Sequence, residues 1–339
     1  MRDLYLGPAP LVDADVFMLA PERSGDVDLT YSPELLEVEG KSLSGGEFWT
    51  YLDRLSSAVQ DTFGQRDYDV IHFQHLTFGA TPALQRVFPN QPKVALLHGT
   101  DLLFAAEYPT QADVLKQAAD VSAAVVVPTR AMADLLRRLT GEVRAVHIPW
   151  GVPDRLLAKP PAWAEKPVEL LRVLYAGRLT AQKATAEILS AVSQFDGVEL
   201  AVAGPTDDYA RLAERTDLSR VRFLGWLSRE QLWRDFADHD LLIVPSVKLE
   251  AFGLVTLEAQ ACGLPVAYQP LPGLVEVLGD SALACDFGNL GALDARFKEF
   301  RTSPNLLAEV AAAGLSNSAR FPLSKTAREL RELSQEVAQ

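Results

Sequence analysis

Two carboxylates bracket a loop-to-helix transition in the second half of the sequence. Glu250 precedes the transition, and Glu258 lies inside a helix that is predicted to begin at Leu254. The apolar run 241–244 indicates a buried strand of a parallel sheet just before the loop. The free backbone amides at such a helix start, near Phe252, form a natural anion site. The stretch therefore combines an anion-binding helix start with two hydrogen-bond-accepting side chains.

The same stretch resembles the signature of retaining glycosyltransferases of the GT-B fold, and most of all the large family 4 of nucleotide-sugar-dependent enzymes. That signature is a strand, Pro-Ser, a variable loop and then E-x-F-G-L-x-x-x-E-A-x-A-x-G-x-P-V. The matching residues are Glu250, Phe252, Gly253, Leu254, Glu258, Ala259, Ala261, Gly263, Pro265 and Val266. Two glutamates at this spacing occur on any acidic helix, whereas the whole ordered set is specific. The resemblance implies an α/β fold of two Rossmann-like domains whose parallel sheets face a central cleft.

A cationic pair follows the strand predicted at 171–176. Residues 177–183, GRLTAQK, match the family's G-R-L-x-x-x-K with Arg178 and Lys183. Cations at the carboxyl end of a strand suit a leaving diphosphate, because negative charge grows on it as the glycosidic bond breaks. An isolated Arg and Lys would be solvated surface charges. Their place after a strand, in a matching domain order, favours the catalytic interpretation.

The family resemblance implies a role for each of these residues in donor binding. Arg178, Lys183 and the amides of Gly253 and Leu254 would stabilise the leaving phosphate. Glu258 would accept hydrogen bonds from the ribose hydroxyls.

Glu250 would hold hydroxyls of the donor sugar. Two mechanisms are open: Glu250 acts as a nucleophile, or the acceptor attacks from the front face without an enzyme nucleophile. The segment 221–227 resembles the part of the family that packs beside the nucleotide base, with Leu227 offering main-chain groups. Trp226 either stacks on that base or packs in the core.

Histidines follow two predicted strands in the first half of the chain. His75 comes after the strand at 69–73, and His98 after the strand at 94–97. In open α/β sheets, ligands bind outside the carboxyl ends of the strands. The family often carries a histidine at the place of His98, facing the transferred sugar and the acceptor, so His98 is the predicted catalytic residue on the acceptor side. His75 either lies at the cleft rim or ties down a loop, and Asp101 is predicted to orient a group or cap a helix.

A length of 339 residues indicates two domains. We predict an acceptor-side Rossmann-like domain at 1–151, a Pro-, Ala- and Lys-rich linker at 152–167, and a nucleotide-sugar-binding domain at 168–320. Residues 321–339 form a helix of the kind that crosses back to the first domain in GT-B proteins.

The N-terminal part resembles the family least. Strands are predicted at 3–6 and 15–19, and the interval between them is shorter than a parallel crossover needs. Gly45-Gly46 either forms a phosphate loop or starts a helix.

Composition limits the other function classes. Lys plus Arg total 32 against 45 Asp plus Glu, a net charge of −13, which argues against nucleic acid or a broad anionic membrane as partner. No apolar run reaches the roughly 20 residues of a membrane span, and no leader is apparent at 1–6. The two cysteines are too few for a disulfide framework. A cytoplasmic protein is therefore predicted, with an open oligomeric state. The helix carrying Arg130, Arg137 and Arg138 is expected to be a solvated face, with weak peripheral membrane association left open.

Metal and other cofactors are not expected. The Asp-x-Asp motif of metal-dependent glycosyltransferases occurs four times in this Asp-rich chain, which indicates chance. No metal site and no cofactor are therefore predicted, and a nucleoside-diphosphate sugar is the co-substrate of a hydroxyl-bearing acceptor. Two rival functions stay open: a sugar-nucleotide epimerase or hydrolase of the same fold, and a non-catalytic nucleotide-sugar-binding module.

Overall fold

The computed structural model describes residues 2–7, 9–20, 33–161, 170–181, 183 and 186–339. These residues form two compact units. The first comprises Met1–Pro149 together with Leu323–Gln339, and the second comprises Trp150–Pro322. Each unit is an α/β structure with its own parallel sheet.

The first unit alternates strands and helices along the chain. In order, its elements are α1 (Arg2–Tyr5), β1 (Phe17–Leu19), β2 (Glu34–Leu36), α2 (Gly45–Phe63), β3 (Ile71–Phe73), α3 (Ala80–Val87), β4 (Lys93–Leu96), α4 (Thr100–Glu107), α5 (Pro109–Val121), β5 (Ala124–Val127), α6 (Arg130–Thr140) and β6 (Ala145–His147). Strands β3 to β6 pair in sequence order as a four-stranded parallel sheet. Strands β1 and β2 form a separate parallel pair.

The second unit contains a six-stranded parallel sheet. Its elements are α7 (Asp154–Ala158), β7 (Leu171–Ala176), α8 (Ala186–Gln194), β8 (Val198–Ala203), α9 (Thr206–Ala213), β9 (Val221–Gly225), α10 (Arg229–Asp238), β10 (Leu241–Val244), α11 (Leu254–Ala261), β11 (Val266–Tyr268), α12 (Pro272–Leu278), a 3-10 turn (Gly279–Ser281), β12 (Leu283–Ala284), α13 (Leu290–Thr302) and α14 (Pro304–Ser318). The strand order is β12-β11-β10-β7-β8-β9. This is the doubly wound Rossmann order, and its switch point lies between β7 and β10.

The last helix, α15 (Leu323–Val337), belongs to the first unit. Its apolar face, which includes Leu330 and Leu333, is buried. Polar contacts add to this packing: Thr326 Oγ1 donates to the carbonyl of Pro149 at 2.8 Å. Ser334 Oγ also hydrogen-bonds Nε2 of His72 on β3 at 2.8 Å. Helix α15 is therefore anchored to the first unit at two points, on β3 and just beyond the end of β6.

One local prediction is wrong. Residues 3–6 were expected to form a strand, but helix α1 occupies most of them, with Leu4 and Tyr5 buried. Asp3 lies in the first turn of α1, where an acidic side chain stabilises the amino end of a helix. Because residues 3–6 do not form a strand, the short interval before β1 is not a crossover between two parallel strands.

One further region was left open by the sequence, and the predicted linker is partly helical. Helix α2 begins at Gly45, whose amide hydrogen-bonds Thr110 Oγ1 at 3.2 Å, so Gly45-Gly46 is the helix-start alternative. Within the predicted linker 152–167, helix α7 is formed and Leu156 is buried. Residues 162–167 of that linker lie outside the described residues.

Candidate functional site

The switch point of the second sheet brings the predicted cation and carboxylate together. Strands β7 and β10 are paired, so the loops that follow them leave the same edge of the sheet. Lys183, in the loop after β7, forms an ion pair with Oε2 of Glu250, in the loop after β10. Ser246 Oγ donates to the same carboxylate oxygen at 3.1 Å. Residues 67 positions apart in the sequence thus form one charged cluster where ligands bind in this sheet topology.

Arg178 lies at the same edge but is positioned differently. Its side chain is exposed, and its backbone carbonyl accepts a hydrogen bond from the buried Tyr175 hydroxyl at 2.6 Å. Within the described part of the chain, its guanidinium pairs with no carboxylate. The backbone of Arg178 is therefore held by Tyr175 while its guanidinium is exposed to solvent, whereas the Lys183 side chain is held by Glu250.

The start of α11 depends on glycine at two positions. Gly253 is its N-cap and has a left-handed backbone conformation, with φ of 74° and ψ of 51°. At Gly273, in the first turn of α12, an added Cβ would lie 2.3 Å from the carbonyl oxygen of Glu250. The loop that carries Glu250 is thus packed directly on a helix end. Thr256 strengthens the turn, since its Oγ1 donates to the carbonyl of Gly253 at 2.6 Å.

Phe252 and Leu254 flank that glycine. The side chain of Phe252 is buried and packs edge-on against Phe321, with ring centroids 5.7 Å apart. Phe252 can therefore serve a donor through its backbone only. Leu254 is half-buried as the first residue of α11, so its contribution to an anion site is also its amide.

Glu258 is held by residues that sequence reasoning missed. Trp233 Nε1 donates to Glu258 Oε2 at 3.3 Å, and Arg229 Nε lies 3.4 Å from Glu258 Oε1. Both partners are on α10, four residues apart and hence on one helix face. The capping box formed by Ser228 and Gln231 fixes where that helix begins. The capping pattern S-x-x-Q is the sequence signal that could have revealed them. It fixes where α10 begins, and so it places Arg229 and Trp233 on the same face of the helix.

The segment just before α10 includes the predicted base-side residues. Leu227 is half-buried between β9 and α10. Trp226 is 63% exposed, so the alternative in which it packs in the core is wrong. Stacking of Trp226 on the nucleotide base stays a prediction.

In the first unit, His98 and His75 lie together and share one carboxylate. The His98 amide donates to Asp101 Oδ2 at 2.9 Å, and His75 Nδ1 lies 2.6 Å from Asp101 Oδ1. The two imidazole centroids are 4.8 Å apart. Burial lowers the pKa of His98 to about 4, with the neighbouring His75 acting in the same direction and Asp101 opposing. His98 is thus a neutral hydrogen-bonding group at pH 7.

The loop between β3 and α3 carries a backbone conformation that is rare for a bulky residue. Phe78 has a φ of 69°. Its amide donates to Oε1 of Gln111 at 2.8 Å, and the Nε2 of this fully buried glutamine donates to the carbonyl of Leu43 at 2.7 Å. The ring of Phe78 packs edge-on against His75. Neither Phe78 nor Gln111 carries a sequence signal for this role, because the strain is visible only in the backbone angles.

A cavity of about 1540 Å³ lies within the first unit and reaches both histidines. Among the described residues, no cluster of three or more His, Cys, Asp or Glu side chains could hold a metal ion. None of the helices in the described ranges is both long and apolar enough to cross a membrane.

Comparison with known families gives two matches that follow each other along the chain. The model described as "Glycosyltransferase Family 4" matches residues 12–156. The model described as "Glycosyl transferases group 1" matches residues 162–316.

Curated relatives match over part of their length. A D-inositol 3-phosphate glycosyltransferase of Mycolicibacterium smegmatis is 38% identical over 123 residues, which cover 34% of this chain and 28% of that protein. A protein of the same name from Mycobacterium sp. (strain KMS) is 30% identical over 241 residues, covering 63% of this chain and 54% of the relative. The matches thus span about half of these relatives or less.

Solved structures match nearly the whole chain at low identity. Sucrose-phosphate synthase from Thermosynechococcus elongatus has a TM-score of 0.79 at 19% identity, covering 95% of this chain and 89% of that one. Anabaena HepE in complex with UDP-glucose has a TM-score of 0.71 at 19% identity, covering 89% and 86%. These likenesses confirm the predicted GT-B fold class.

Proposed function

The chain belongs to the group 1 and family 4 glycosyltransferases, and from this we propose that it moves a hexosyl group from a nucleoside-diphosphate sugar to a hydroxyl acceptor. The reaction proceeds with retention at the anomeric carbon and without a metal ion. The observation that carries the proposal is the contact of Lys183 with Glu250 at the switch point of the second sheet, beside the start of α11. The charged side chains and the backbone amide donors lie together at the place where the diphosphate would leave.

In this proposal the donor is bound by both loops at the switch point. Lys183, Arg178 and the amides of Gly253 and Leu254 neutralise the diphosphate. Glu250, oriented by Lys183 and Ser246, accepts hydrogen bonds from the sugar hydroxyls. Because this carboxylate is already paired with a cation, it suits orientation better than nucleophilic attack, and the acceptor proton passes to the leaving phosphate oxygen.

Glu258 and Leu227 complete the nucleoside side. The carboxylate of Glu258, mostly buried and fixed by Trp233 and Arg229, accepts hydrogen bonds from the ribose. Leu227 offers backbone groups to the base. The HepE structure is a complex with UDP-glucose, so this nucleotide sugar is the first donor to test.

On the acceptor side, His98 acts as a neutral imidazole. Its depressed pKa keeps it uncharged at pH 7, so it positions the incoming hydroxyl by hydrogen bonding and contributes no fixed charge. Asp101 orients both His98 and His75 through its two carboxylate oxygens. We assign the reaction to the cytoplasm, and the free, buried thiols of Cys262 and Cys285 are compatible with that compartment.

The test begins with nucleotide binding. We expect one nucleoside diphosphate from a panel of UDP, GDP, ADP and dTDP to raise the melting temperature, equally with Mg²⁺ and with EDTA. A shift that requires Mg²⁺ would contradict the metal-independent mechanism. The absence of any shift would contradict nucleotide binding, and with it both the transferase function and the nucleotide-sugar-binding module.

The second step follows the donor sugar. Incubation of the matching nucleotide sugar with an acceptor panel should release the diphosphate only when an acceptor is present, and proton NMR of the product should show the donor's anomeric configuration. Donor consumption without any acceptor would instead identify the epimerase or hydrolase alternative.

A further inference from the structure

Helix α7 lies at the start of the predicted linker and is held within the second unit. The Val152 amide, two residues before the helix, donates to the carbonyl of Phe321 at 2.8 Å. Leu156, within the helix, is buried. The helix also contacts α11, the helix that carries Glu258. Side chains of α7 are therefore placed to act on the donor site.

Arg155, on this helix, makes two contacts with α10. Its guanidinium carbon lies over the Trp233 ring, 5.2 Å from the ring centre, which is the geometry of a cation–π contact. Its Nη2 also lies 2.9 Å from Oε1 of Glu230. Both charged side chains of that ion pair are more than half exposed, so the pair contributes little by itself. Trp233 is 6% exposed, and it is the contact through which Arg155 can influence the interior.

The indole of Trp233 joins Arg155 to Glu258. The cation lies over the face of the ring, while Nε1 at its edge donates to Glu258 Oε2 at 3.3 Å. This distance is at the long end for an N–H···O hydrogen bond, so a small tilt of the ring would break the bond. A cation over the ring opposes such a tilt. It also draws electron density from the indole, which makes the N–H a stronger donor.

The charges beside this indole are arranged in pairs. Arg155 is paired with Glu230, and Arg229 approaches Glu258 at 3.4 Å. Because Arg155 is already paired with a carboxylate, it adds little net charge to the donor site. Its contribution to nucleotide binding is therefore expected to come through the orientation of Trp233.

We propose that Arg155 is a positioning residue of the nucleotide site and acts on Glu258 through the indole of Trp233. The inference rests on the proposed function, since that function assigns Glu258 to the ribose. The cation holds the indole at the angle at which Nε1 donates to Glu258, so the carboxylate is oriented before the nucleotide arrives. The segment predicted as a linker thereby contributes a residue to the donor site.

Calorimetry measures the effect on nucleotide binding. The probe is whichever of UDP, GDP, ADP and dTDP stabilises the parent chain most. Arg155→Met keeps an aliphatic stem on the ring and removes the cation. It should weaken binding about two- to fivefold, the range that an exposed cation–π contact gives. Arg155→Lys keeps a cation and should restore most of the affinity. Equal losses in the two variants would overturn the role of the cation.

Arg296→Met is the matched control. The Arg296 guanidinium lies over the Phe300 ring at 5.1 Å and forms an ion pair with Glu299. Arg296 thus makes both kinds of contact that Arg155 makes, on α13 of the same unit. Its replacement should leave diphosphate affinity unchanged. A loss equal to that of Arg155→Met would overturn the inference, because the effect would then be common to such arginines.

A double variant separates positioning from net charge. Arg155→Met leaves the Glu230 carboxylate without this cation, and an added negative charge repels a diphosphate at a distance. Arg155→Met/Glu230→Gln restores the net charge of the parent and should still bind the diphosphate as weakly as Arg155→Met does. Recovery of the parent affinity in the double variant would overturn positioning in favour of a charge effect.

The route through the indole is tested in a Trp233→Phe background. That substitution removes the Nε1 donor, so the cation no longer has a hydrogen bond to hold in place. Adding Arg155→Met should then leave diphosphate affinity unchanged. The same fold loss in both backgrounds would show that Arg155 acts on the nucleotide without Trp233, and would overturn the route.

Proton–nitrogen NMR of the free chain tests the contact without any nucleotide. The indole resonance that disappears in Trp233→Phe belongs to Nε1 of Trp233. A weaker hydrogen bond leaves this proton less protected, so its exchange with solvent should be at least twofold faster in Arg155→Met, as in Glu258→Ala. Arg296→Met should leave the exchange rate unchanged. Unchanged exchange in Arg155→Met would overturn the inference.

The parent chain and Arg155→Met together distinguish failure of this inference from failure of the proposed function. If both bind the diphosphate equally well, the donor site stands and the role of Arg155 falls. If no diphosphate binds the parent chain, the proposed function falls, and the positioning of a ribose ligand by Arg155 falls with it.

Discussion

Trp233 donates a hydrogen bond from Nε1 to Oε2 of Glu258 across 3.3 Å. Arg229 approaches the other carboxylate oxygen at 3.4 Å. The carboxylate assigned to the ribose is therefore oriented from one side by α10 before a nucleotide binds. Pre-oriented acceptors lower the entropic cost of binding, which makes Trp233 a positioning residue of the donor site.

Replacing Trp233 by phenylalanine should weaken nucleoside-diphosphate binding by about three- to tenfold, because a hydrogen bond of roughly 1 kcal/mol that orients Glu258 is lost. Glu258→Ala should cost more, roughly ten- to hundredfold, since hydrogen bonds to a charged acceptor are stronger. Calorimetric titration of the diphosphate measures both. Trp49→Phe, at a partly exposed position in the first unit, is the matched control. Equal affinity in Trp233→Phe and the parent chain would refute the positioning role.

The acceptor-side role of His98 and the donor-side role of Glu258 should have different kinetic effects. His98→Ala should spare diphosphate affinity and lower turnover by about a hundredfold, because it removes a group that positions the acceptor hydroxyl. Glu258→Ala should raise the KM for the nucleotide sugar instead. Equal loss of nucleotide affinity in the two variants would contradict this division of roles. His147→Ala, on β6, is a control for the loss of a histidine from the first unit.

The ion pair at the switch point should be worth more than a surface pair, because the Glu250 side chain is only 15% exposed. Lys183→Met leaves that carboxylate without its cation and should lower the free energy of unfolding by roughly 1–3 kcal/mol. Adding Glu250→Gln should recover part of this loss. Urea unfolding of both single variants and the double variant gives the coupling. Additive losses would show that the pair contributes nothing to stability.

Much of the second unit was predictable because its strands are continuous apolar runs. Strands β7 and β10 have the predicted bounds, and both are internal strands of a sheet buried on both faces. The motif residues Lys183 and Glu250 were predicted at one site, and the pairing of β7 with β10 brings them together.

What the sequence did not predict depends on contacts between distant segments. Gln111 supports Phe78 from 33 residues away, and neither residue belongs to a periodic or motif signal. The cavity lining is drawn from α2, β1, the loop after β3 and α15, so no single stretch carries its pattern. The strand predicted at 3–6 was wrong for a local reason, because a few apolar residues beside an aspartate fit a strand and a helix turn equally well.

A pair of glycine substitutions tests the packing of the Glu250 loop. Gly273→Ala places a Cβ within 2.3 Å of the Glu250 carbonyl oxygen, so the backbone must shift, and we expect both lower stability and weaker diphosphate binding. Gly46→Ala, in the first turn of α2, meets nothing within 4 Å. It should stabilise the chain by roughly 0.5–1 kcal/mol and leave diphosphate binding unchanged. Weaker binding in Gly46→Ala would revive the phosphate-loop interpretation of Gly45-Gly46.

Stability should fall on acidification from pH 7 to pH 5, because two histidines of the first unit are neutral in the folded chain. Burial lowers the pKa of His72 and of His98 to about 4 each, against about 6.5 in the unfolded chain. Between these two pKa values the unfolded state binds more protons, so stability rises with pH in this window and is complete above about 6.5.

We expect a loss of roughly 1–2 kcal/mol for each histidine at pH 5, measured from urea unfolding midpoints at pH 7, 6 and 5. Asp15 does not contribute to the change in stability between pH 7 and pH 5, since the stability from its lowered pKa is lost only below about pH 4. The double variant His72→Asn/His98→Asn should remove most of the slope and leave the part that comes from His239, whose pKa is also lowered by burial. His147→Asn should leave the slope unchanged. A parent profile that is flat from pH 7 to 5 would show that both imidazoles are accessible to protons in the folded chain, and His98 would then be free to carry charge in the reaction.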